Sequence, residues 1–265
     1  MARILAVANQ KGGVGKTTTS VNLAAGLVDS GKRVLLVDLD PQGNATMGSG
    51  IDKRDIKESI YHVVLGLTTA EHVRLRAEAG GYDLLASNRE LAGAEVELVG
   101  LDRRETRLKS ALAPIEHDYD FILLDCPPSL SLLTVNAFVA AHAIVIPMQC
   151  EYYALEGLSD LVNTVRKVRQ SMNPNLEIEG LLRTMFDPRN TLAQQVSDQL
   201  YKHFGTKVYE TVIPRNVRLA EAPSHGTPGI KFDATSKGAQ AYIALVAELL
   251  ARAEGAAPAA AMPAA

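Results

Sequence analysis

A glycine-rich loop between a short apolar run and a helical pattern most restricts what this chain can fold into. The apolar run covers Ile4–Ala8, and the loop follows over Gln10–Thr18 with the sequence QKGGVGKTT. Glycines let a backbone adopt positive φ and approach a phosphate closely, and the amides of a following helix N-terminus point at the anion. The order strand, loop, helix therefore predicts a phosphate-binding loop in an α/β protein.

The loop supplies two lysines, to which we assign different tasks. Lys16 is expected to neutralise the β- and γ-phosphates of a nucleotide, and the Thr17 hydroxyl to bind Mg²⁺. The backbone around the phosphates comes from the rest of the loop: Gly12, Gly13, Val14, Gly15 and Thr18. The usual pattern G-x-x-x-x-G-K-S/T has a glycine where this chain has Gln10, and it lacks the additional Lys11. Lys11 is either a solvated side chain or, as we predict, reaches the nucleotide of a second subunit in a dimer.

Apolar runs alternate with helical patterns along the chain. Strands are predicted at Ile4–Ala8, Arg33–Leu39, Tyr82–Ser87, Asp120–Asp125, Ala143–Pro147 and Leu176–Met185. Helices are predicted at Thr17–Ser30, Ala154–Met172, Leu192–Phe204 and Thr235–Ala253. Continuous apolar strands that alternate with helices are typical of a doubly wound α/β fold, with a mostly parallel sheet flanked by helices. In this fold ligands bind beyond the carboxyl ends of the strands.

The length of 265 residues favours one large domain, which we place at residues 1–252. The segment Ala253–Ala265 is rich in Ala and Pro and carries one charged residue, Glu254, so we expect a disordered tail. The segment Asp52–Gly81 is polar and poorly periodic, and we expect an excursion at the edge of the sheet. We assign that segment no function.

Composition limits the class of protein further. Two cysteines, Cys126 and Cys150, exclude a disulfide scaffold and are too few for a metal-ligand set. The N-terminal apolar run is too short for an export signal, and no apolar stretch approaches the length of a membrane span. We therefore expect a cytoplasmic protein without membrane association. The net charge of −3 argues against a protein devoted wholly to nucleic acid, but it does not exclude a local basic patch.

Several separated segments resemble the ParA/Soj chromosome-partitioning proteins, which are ATPases with a deviant Walker A loop. The matching segments are Lys11–Thr19, Val37–Asn44, Leu124–Ser129, Gln149–Gly157 and Ile213–Gly226. The resemblance covers about residues 2–250. It implies ATP and Mg²⁺ as ligands, and an ATP-bound homodimer that binds double-stranded DNA without sequence preference on the nucleoid. It also implies a ParB-type partner that stimulates hydrolysis during chromosome or plasmid segregation.

The same resemblance implies roles for individual residues. Lys11 is the lysine that acts across the dimer, Asp40 positions the attacking water, and Asp125 holds Mg²⁺ through water. Pro214 and Asn216 lie against the adenine. No motif places an arginine finger in cis, so we expect slow intrinsic hydrolysis, because such a finger is typically worth about 10³–10⁵ in rate.

The carboxylates at the strand ends also support this chemistry without the resemblance. Asp38 and Asp40 both close the second predicted strand, and alternation places them on one side unless the chain already turns at Pro41. We expect a supporting role for Asp38 near Mg²⁺, with a turn or capping residue as the alternative reading. Asp125 ends a strand of buried apolar residues, where a carboxylate is costly to desolvate without a cation nearby.

One segment carries an excess of positive charge. Between Arg183 and Arg218 there are six basic residues, Arg183, Arg189, Lys202, Lys207, Arg215 and Arg218, and three acidic ones, Asp187, Asp198 and Glu210. By resemblance, Arg189 and Arg218 contact DNA, whereas Arg215 serves either DNA or the nucleotide pocket. The segment has no helix-turn-helix signature and no interleaved aromatics, so we expect sequence-independent, salt-sensitive contacts with phosphates.

Three other readings use the same fold. A membrane-cycling positioning ATPase of the MinD type needs a basic amphipathic helix at the C-terminus, and Ala253–Ala265 contains no Lys or Arg. A metabolic ligase or amidotransferase-linked synthetase needs a substrate pocket, for which we find no motif. A partitioning-like ATPase that positions another cargo shares the same ATP and DNA chemistry, and the sequence separates it poorly from chromosome segregation.

Overall fold

The computed structural model describes residues 1–255, which contain one eight-stranded sheet. The strands are β1 Arg3–Val7, β2 Val34–Asp38, β3 Arg74–Ala77, β4 Tyr82–Leu85, β5 Phe121–Asp125, β6 Ala143–Met148, β7 Glu177–Phe186 and β8 Val208–Pro214. Their spatial order is β3-β4-β2-β5-β1-β6-β7-β8. All neighbouring pairs are parallel except β3 with β4, so the predicted doubly wound, mostly parallel fold is confirmed.

Helices cover both faces of this sheet. Their bounds are α1 Lys16–Asp29, α2 Asn44–Gly48, α3 Ile60–Leu65, α4 Ala70–Val73, α5 Leu91–Glu97, α6 Arg107–Leu112, α7 Leu132–Ala140, α8 Ala154–Ser171, α9 Thr191–Phe204, α10 Val217–Glu221, α11 Gly229–Phe232 and α12 Lys237–Ala253. Alternate residues of one strand enter different cores: Ile4 and Ala6 pack with α3 to α9, whereas Leu5 and Val7 pack with α1, α11 and α12. This burial on both faces explains why the strands read as continuous apolar runs.

The described residues depart from the predicted elements in two ways. Asp52–Gly81, which we expected as an excursion at the sheet edge, does reach the edge, but it also contains α3, α4 and the antiparallel strand β3. Outside that segment, the strand β8 and the helices α2, α5, α6, α7, α10 and α11 were not predicted. α7 is apolar on most of its surface and so lacks helical periodicity, and β8 is not a continuous apolar run, because exposed Glu210 follows buried Tyr209.

The end of the chain is only partly described. Ala253, which we assigned to a disordered tail, is the last residue of α12. The rest of that prediction falls mainly on residues 256–265, which lie outside the described residues. Within residues 1–255, no helix is both long and apolar enough to cross a bilayer.

Candidate nucleotide-binding site

The phosphate loop joins the carboxyl end of β1 to the first turn of α1. Gly13 and Gly15 have φ of 73° and 86°, values that a residue with a Cβ rarely adopts, and Lys16 begins the helix. The loop is also tied to the neighbouring strand, because the Thr184 hydroxyl donates to the carbonyl of Val14 at 2.8 Å. The backbone amides that follow Gly15 are therefore aimed at one point in front of α1, as phosphate binding requires.

Lys16 lies within the loop. Its side chain is only 7% exposed, and Nζ donates to the carbonyl of Lys11 at 3.0 Å. Burial lowers the pKa of this ammonium, while the nearby carboxylate of Asp125 opposes the shift. Because this ammonium already donates to a carbonyl of the loop, it can donate to a phosphate oxygen in place of that carbonyl.

Lys11 has the opposite environment. Its side chain is 43% exposed, and its ammonium pairs with the carboxylate of Glu151, which is 52% exposed. Exposed ion pairs of this kind stabilise a fold by only about 0–1 kcal/mol. Lys11 can therefore leave Glu151 at small cost and extend away from its own loop, which is what the predicted role across a dimer demands.

Two carboxylates meet at the ends of neighbouring central strands. Asp38 of β2 and Asp125 of β5 are paired in register, and both are fully buried. Asp125 accepts from the hydroxyls of Thr17 and Ser20, each at 2.8 Å. Burial raises the pKa of both carboxyls, and in Asp125 the adjacent Asp38 raises it further. Two buried carboxylates without a bound cation are an unfavourable arrangement that a metal ion would relieve.

These donors fit Mg²⁺ better than a tightly ligated transition metal. Residues 1–255 contain no group of three or more His, Cys, Asp or Glu side chains placed to hold a metal. Mg²⁺ is commonly held by one or two carboxylates, a hydroxyl, water and the substrate's own phosphates. Thr17 and Asp125, already in contact, supply such a partial ligand set beside the phosphate loop. The cysteines Cys126 and Cys150 are buried, unpaired thiols.

Asp38 is brought close to Asp125, but its own oxygens are engaged in holding the following turn. One oxygen accepts from the amide and the hydroxyl of Thr46, at 2.8 and 2.7 Å, and the other accepts from the amide of Asp40 at 3.1 Å. The metal role predicted for Asp38 stays a prediction. The structure adds a second task, which is to anchor the segment that carries Asp40.

Asp40 stands in the turn that Pro41 and Gly43 indicated. Its carboxylate accepts from the amide of Gln42 at 2.9 Å, and its carbonyl accepts from the Ser87 hydroxyl at 2.8 Å. Gly43, with φ of 61°, caps the N-terminus of α2, and a Cβ at this position would lie 2.8 Å from the carbonyl oxygen of Ser87. This turn places Asp40 at the carboxyl ends of the strands, where Lys16 and Asp125 also lie. Its side chain is partly exposed and can contact a water molecule.

A cleft of about 160 Å³ adjoins the loop and suits the base of a nucleotide. Pro214 and Asn216, predicted to lie against adenine, both line it, together with Gly15 and Arg215. The Asn216 oxygen accepts from the amide of Leu219 and so caps α10, which leaves the NH₂ group as the donor available to a base. The predicted residues are therefore brought to one place, although their binding roles remain predictions.

Sequence analysis missed four residues that shape the site. Ser20 and Thr46 hold the two buried carboxylates, Thr184 holds the loop, and Met185 lines the cleft with an unusual positive φ of 49°. Ser20 could have been found, because it follows Thr17 at helical spacing and shares its face. Thr184 and Met185 come from a distant strand, and Thr46 lies eight residues beyond the Asp38 that it holds. Nothing in the local sequence indicates these contacts.

The basic segment is less basic at the surface than its sequence suggests. Arg183 is 6% exposed and donates to the Ser197 and Tyr201 hydroxyls and to the carbonyls of Tyr209 and Glu210. A guanidinium with these partners joins β7 to α9 and β8 and cannot contact DNA. Counting Arg183 among the basic residues of that segment was therefore wrong as an indication of surface charge.

The two arginines assigned to DNA lie at the carboxyl edge of the sheet. Arg189 follows β7 and is 89% exposed, with its guanidinium on Asp187. Arg218 is on α10 after β8 and pairs with Glu221 at 2.9 Å and Asp233 at 3.4 Å. Because β7 and β8 are parallel neighbours, both arginines lie beyond the carboxyl ends of the strands, where the phosphate loop also lies. Each has an acidic partner that a DNA phosphate would have to displace.

Comparisons with known proteins agree with this geometry. A family model described as an AAA domain matches residues 2–178. The sporulation initiation inhibitor protein Soj of Bacillus subtilis is 54% identical over 251 residues, which are 95% of this chain and 99% of that protein. The chromosome-partitioning ATPase Soj of Thermus thermophilus is 52% identical over 94% of this chain and 96% of its own.

A solved structure shows the same fold with a nucleotide. It is described as cobyrinic acid a,c-diamide synthase from Mycobacterium smegmatis with bound ADP and magnesium, and it superposes with a TM-score of 0.84. Its sequence is 39% identical, and the match covers 96% of each chain. The likeness therefore extends through the whole sheet and its helices.

Proposed function

This chain belongs to the ParA/Soj family of chromosome-partitioning ATPases, and from that premise we propose that it drives DNA segregation by binding DNA as an ATP-bound dimer. The observation that carries the proposal is the contrast between its two loop lysines. Lys16 is buried against its own loop, whereas Lys11 is exposed and only weakly held. One lysine serves the nucleotide of its own subunit, and the other is free to reach a second.

The buried groups perform the hydrolytic step. Lys16 and the amides after Gly15 bind the β- and γ-phosphates and stabilise the charge that develops on them. Thr17 directly and Asp125 through water would hold Mg²⁺, which would neutralise charge between the phosphates. Asp40 accepts a hydrogen bond from the attacking water and orients it in line with the γ-phosphate. ATP and Mg²⁺ are the ligands, and ADP and phosphate are the products.

Dimerisation follows from the position of Lys11. An ammonium that leaves Glu151 for a partner's phosphates exchanges a weak, exposed ion pair for a charge-assisted contact in a closed interface. The dimer therefore forms with ATP, and it loses this contact when the phosphates leave. Turnover in the isolated dimer is slow because no arginine finger acts in cis, and a ParB-type partner accelerates it.

DNA binding belongs to the dimer because each subunit offers few contacts. Arg189 and Arg218 supply two guanidinium groups per subunit at the nucleotide-binding edge, and a dimer doubles them. Contacts with phosphates carry no sequence information, so binding is indifferent to sequence and sensitive to salt. A single subunit with two partly neutralised arginines binds too weakly to remain on the nucleoid.

A second candidate function comes from the Mycobacterium smegmatis structure, which is named as a diamide synthase. The Soj relatives at 52–54% identity are more similar to this chain than that structure at 39%. A synthase has no need of ATP-dependent retention on DNA, so a measurement of that retention distinguishes the two functions. Positioning of a cargo other than DNA by the same chemistry is distinguished only by identifying what moves with the protein.

The experiment is retention on double-stranded DNA of scrambled sequence with ATP, with ADP and with neither, repeated at rising salt. We expect retention with ATP only, lost as salt increases, and absent in a Lys16→Ala control that cannot hold the nucleotide. Absence of retention in every nucleotide state would contradict the proposal. Binding to anionic liposomes would then be measured, because a membrane-cycling ATPase would be retained there.

A further inference from the structure

A cavity of about 480 Å³ lies on the flank of the sheet, between the end of α3, α4 and α6. Its volume is within the range of about 300–1,000 Å³ that small-molecule sites occupy. None of the phosphate-loop or cleft residues lines it. Its apolar wall includes Val63, Val64 and Pro114, and its polar wall comes from the segment that leads into α6. The proposed ATPase cycle gives this cavity no task.

Arg107, the first residue of α6, lines the cavity with its hydrogen-bonding capacity unused. Its Nε is buried and has no acceptor among residues 1–255. Its Nη1 lies 3.7 Å from the position that a Cβ on Gly66, on the opposite wall, would occupy. Arg74 and Arg252, which are also partly buried, pair with Asp118 and Glu248. The Nε of the buried Arg183 also has no acceptor among residues 1–255, but both of its Nη atoms donate hydrogen bonds. A buried donor without a partner is unfavourable, and an acceptor bound in the cavity would satisfy it.

A second arginine stands on the same wall in a strained conformation. Arg103 has φ of 53°, which a bulky residue rarely adopts without a reason in the surrounding structure. Its carbonyl accepts from the amide and the hydroxyl of Thr106, both at 3.0 Å, and this turn brings Arg103 and Arg107 to one cavity. Asp102 also lines the cavity, but in the described chain neither arginine is ion-paired with it. The wall therefore keeps an excess of one positive charge.

We propose that this cavity binds a small amphipathic anion, an organic carboxylate or phosphate ester. Its oxyanion binds the guanidinium groups of Arg107 and Arg103, which match planar anions with two parallel hydrogen bonds. Its apolar portion packs on Val63 and Pro114. A neutral apolar ligand would leave Arg107 unsatisfied, and a divalent cation would be repelled by the two arginines.

The test uses the full-length protein saturated with ADP and Mg²⁺, so that the phosphate loop is already occupied. Phenyl phosphate, benzoate and the neutral benzyl alcohol are titrated while the arginine Nε–H and backbone amide resonances are followed by NMR. We expect both anions to shift the signals of Arg103, Arg107 and Gly66 saturably, and benzyl alcohol to bind at least about tenfold more weakly. Absence of saturable shifts with either anion, or equal binding of benzyl alcohol, overturns the proposal.

Matched variants locate the binding. Arg107→Gln should weaken phenyl phosphate binding at least about tenfold, whereas Arg104→Gln should not change it. Arg104 is the neighbouring arginine, but it pairs with Glu105 and does not line the cavity. Ala111→Leu fills the cavity without changing its charge and should also prevent binding, so the test survives if Arg107→Gln fails to fold. Unchanged binding in Ala111→Leu overturns the proposal.

Discussion

Two lysines five residues apart in one loop differ in what they can reach. Lys16 belongs to the first turn of a helix that the loop closes around, while Lys11 precedes the glycines and points to solvent. The same side chain is thus suited to hold a phosphate in a fixed place at one position and to move towards one at the other. The difference is set by the backbone between them, which turns at Gly13 and Gly15.

Replacing each lysine should separate nucleotide binding from dimerisation. We expect Lys11→Ala to bind ATP about as well as the original protein but to remain monomeric, because its own phosphates are still held by Lys16. Lys16→Ala should lose both properties. Fluorescent-nucleotide binding and light scattering with ATP measure the two effects. Normal dimerisation of Lys11→Ala would show that this lysine does not act across the interface.

The burial of Asp38 and Asp125 is expected to lower the stability of the protein, and the proposed Mg²⁺ site gives a reason for it. The pKa of Asp125 is raised by burial and by Asp38, so in the ligand-free protein its share of stability is present at low pH and is lost as the pH rises through its folded-state pKa. Asp125→Asn should therefore raise the melting temperature of the ligand-free protein at about pH 8, with a smaller gain at about pH 5. It should also abolish Mg²⁺-dependent hydrolysis. A variant less stable than the original at both pH values would contradict this reading.

At the scale of elements, the nucleotide cleft depends on how closely α10 approaches α12. Gly238 in the first turn of α12 permits this approach, because a Cβ there would lie 2.6 Å from Leu219 and 2.9 Å from the Cβ of Asn216. Asn216 in turn caps α10 and faces the cleft. The glycine is therefore a packing requirement of the binding site, although it touches no nucleotide itself.

Gly238→Ala should weaken ATP binding by moving α10. The added methyl group forces Leu219 and Asn216 outward, and we expect a loss of about tenfold in affinity, roughly 1.4 kcal/mol, a typical cost of overpacking. Gly93→Ala in α5 is the matched control, since its nearest neighbour is the flexible end of Glu97 at 3.3 Å. Nucleotide titration measures both variants. Equal affinities would show that α10 can shift without affecting the cleft.

At the scale of the molecule, the sheet brings the residues proposed for nucleotide binding and those proposed for DNA binding together at the carboxyl ends of its parallel strands. β1, β2, β5, β7 and β8 run parallel, so the loops after their carboxyl ends all lie there. The loop after β1 is the proposed phosphate loop, the carboxyl ends of β2 and β5 carry the acidic residues, and the segments after β7 and β8 carry Arg189 and Arg218. In the proposed function, DNA affinity can therefore respond to the nucleotide state without any long-range rearrangement.

The salt dependence of DNA retention should report how many arginines contact DNA phosphates. Four contacts in a dimer give a slope of about −3.6 in log affinity against log salt, and Arg218→Gln should reduce its magnitude by about 1.8. Arg33→Gln is the control, because Arg33 is similarly exposed and paired with Asp120, but it precedes β2 and so lies at the amino ends of the strands. Retention should be measured with ATP at several salt concentrations. An unchanged slope in Arg218→Gln would remove this residue from the DNA surface.

The amino-acid sequence was enough to predict a mostly parallel sheet, the phosphate loop and most of the residues that meet at the site. Continuous apolar strands require burial on both faces, and a parallel sheet places every strand end with its polar residue at one edge. Asp38, Asp125, Lys16 and Thr17 could therefore be placed together before any coordinates. The family segments added Pro214 and Asn216, which the structure also brings to the cleft.

Which charged side chains are exposed could not be predicted, because it depends on how distant elements pack together. Arg183 and Arg218 look alike in sequence, but one is buried among carbonyls and hydroxyls and the other is at the surface. Thr184 holds the carbonyl of Val14, 170 residues away in the chain, and the Nε of Arg107 has no acceptor in a cavity that three separate helices line. Local sequence carries the spacing of residues along one element, whereas desolvation and pairing depend on what other elements bring alongside.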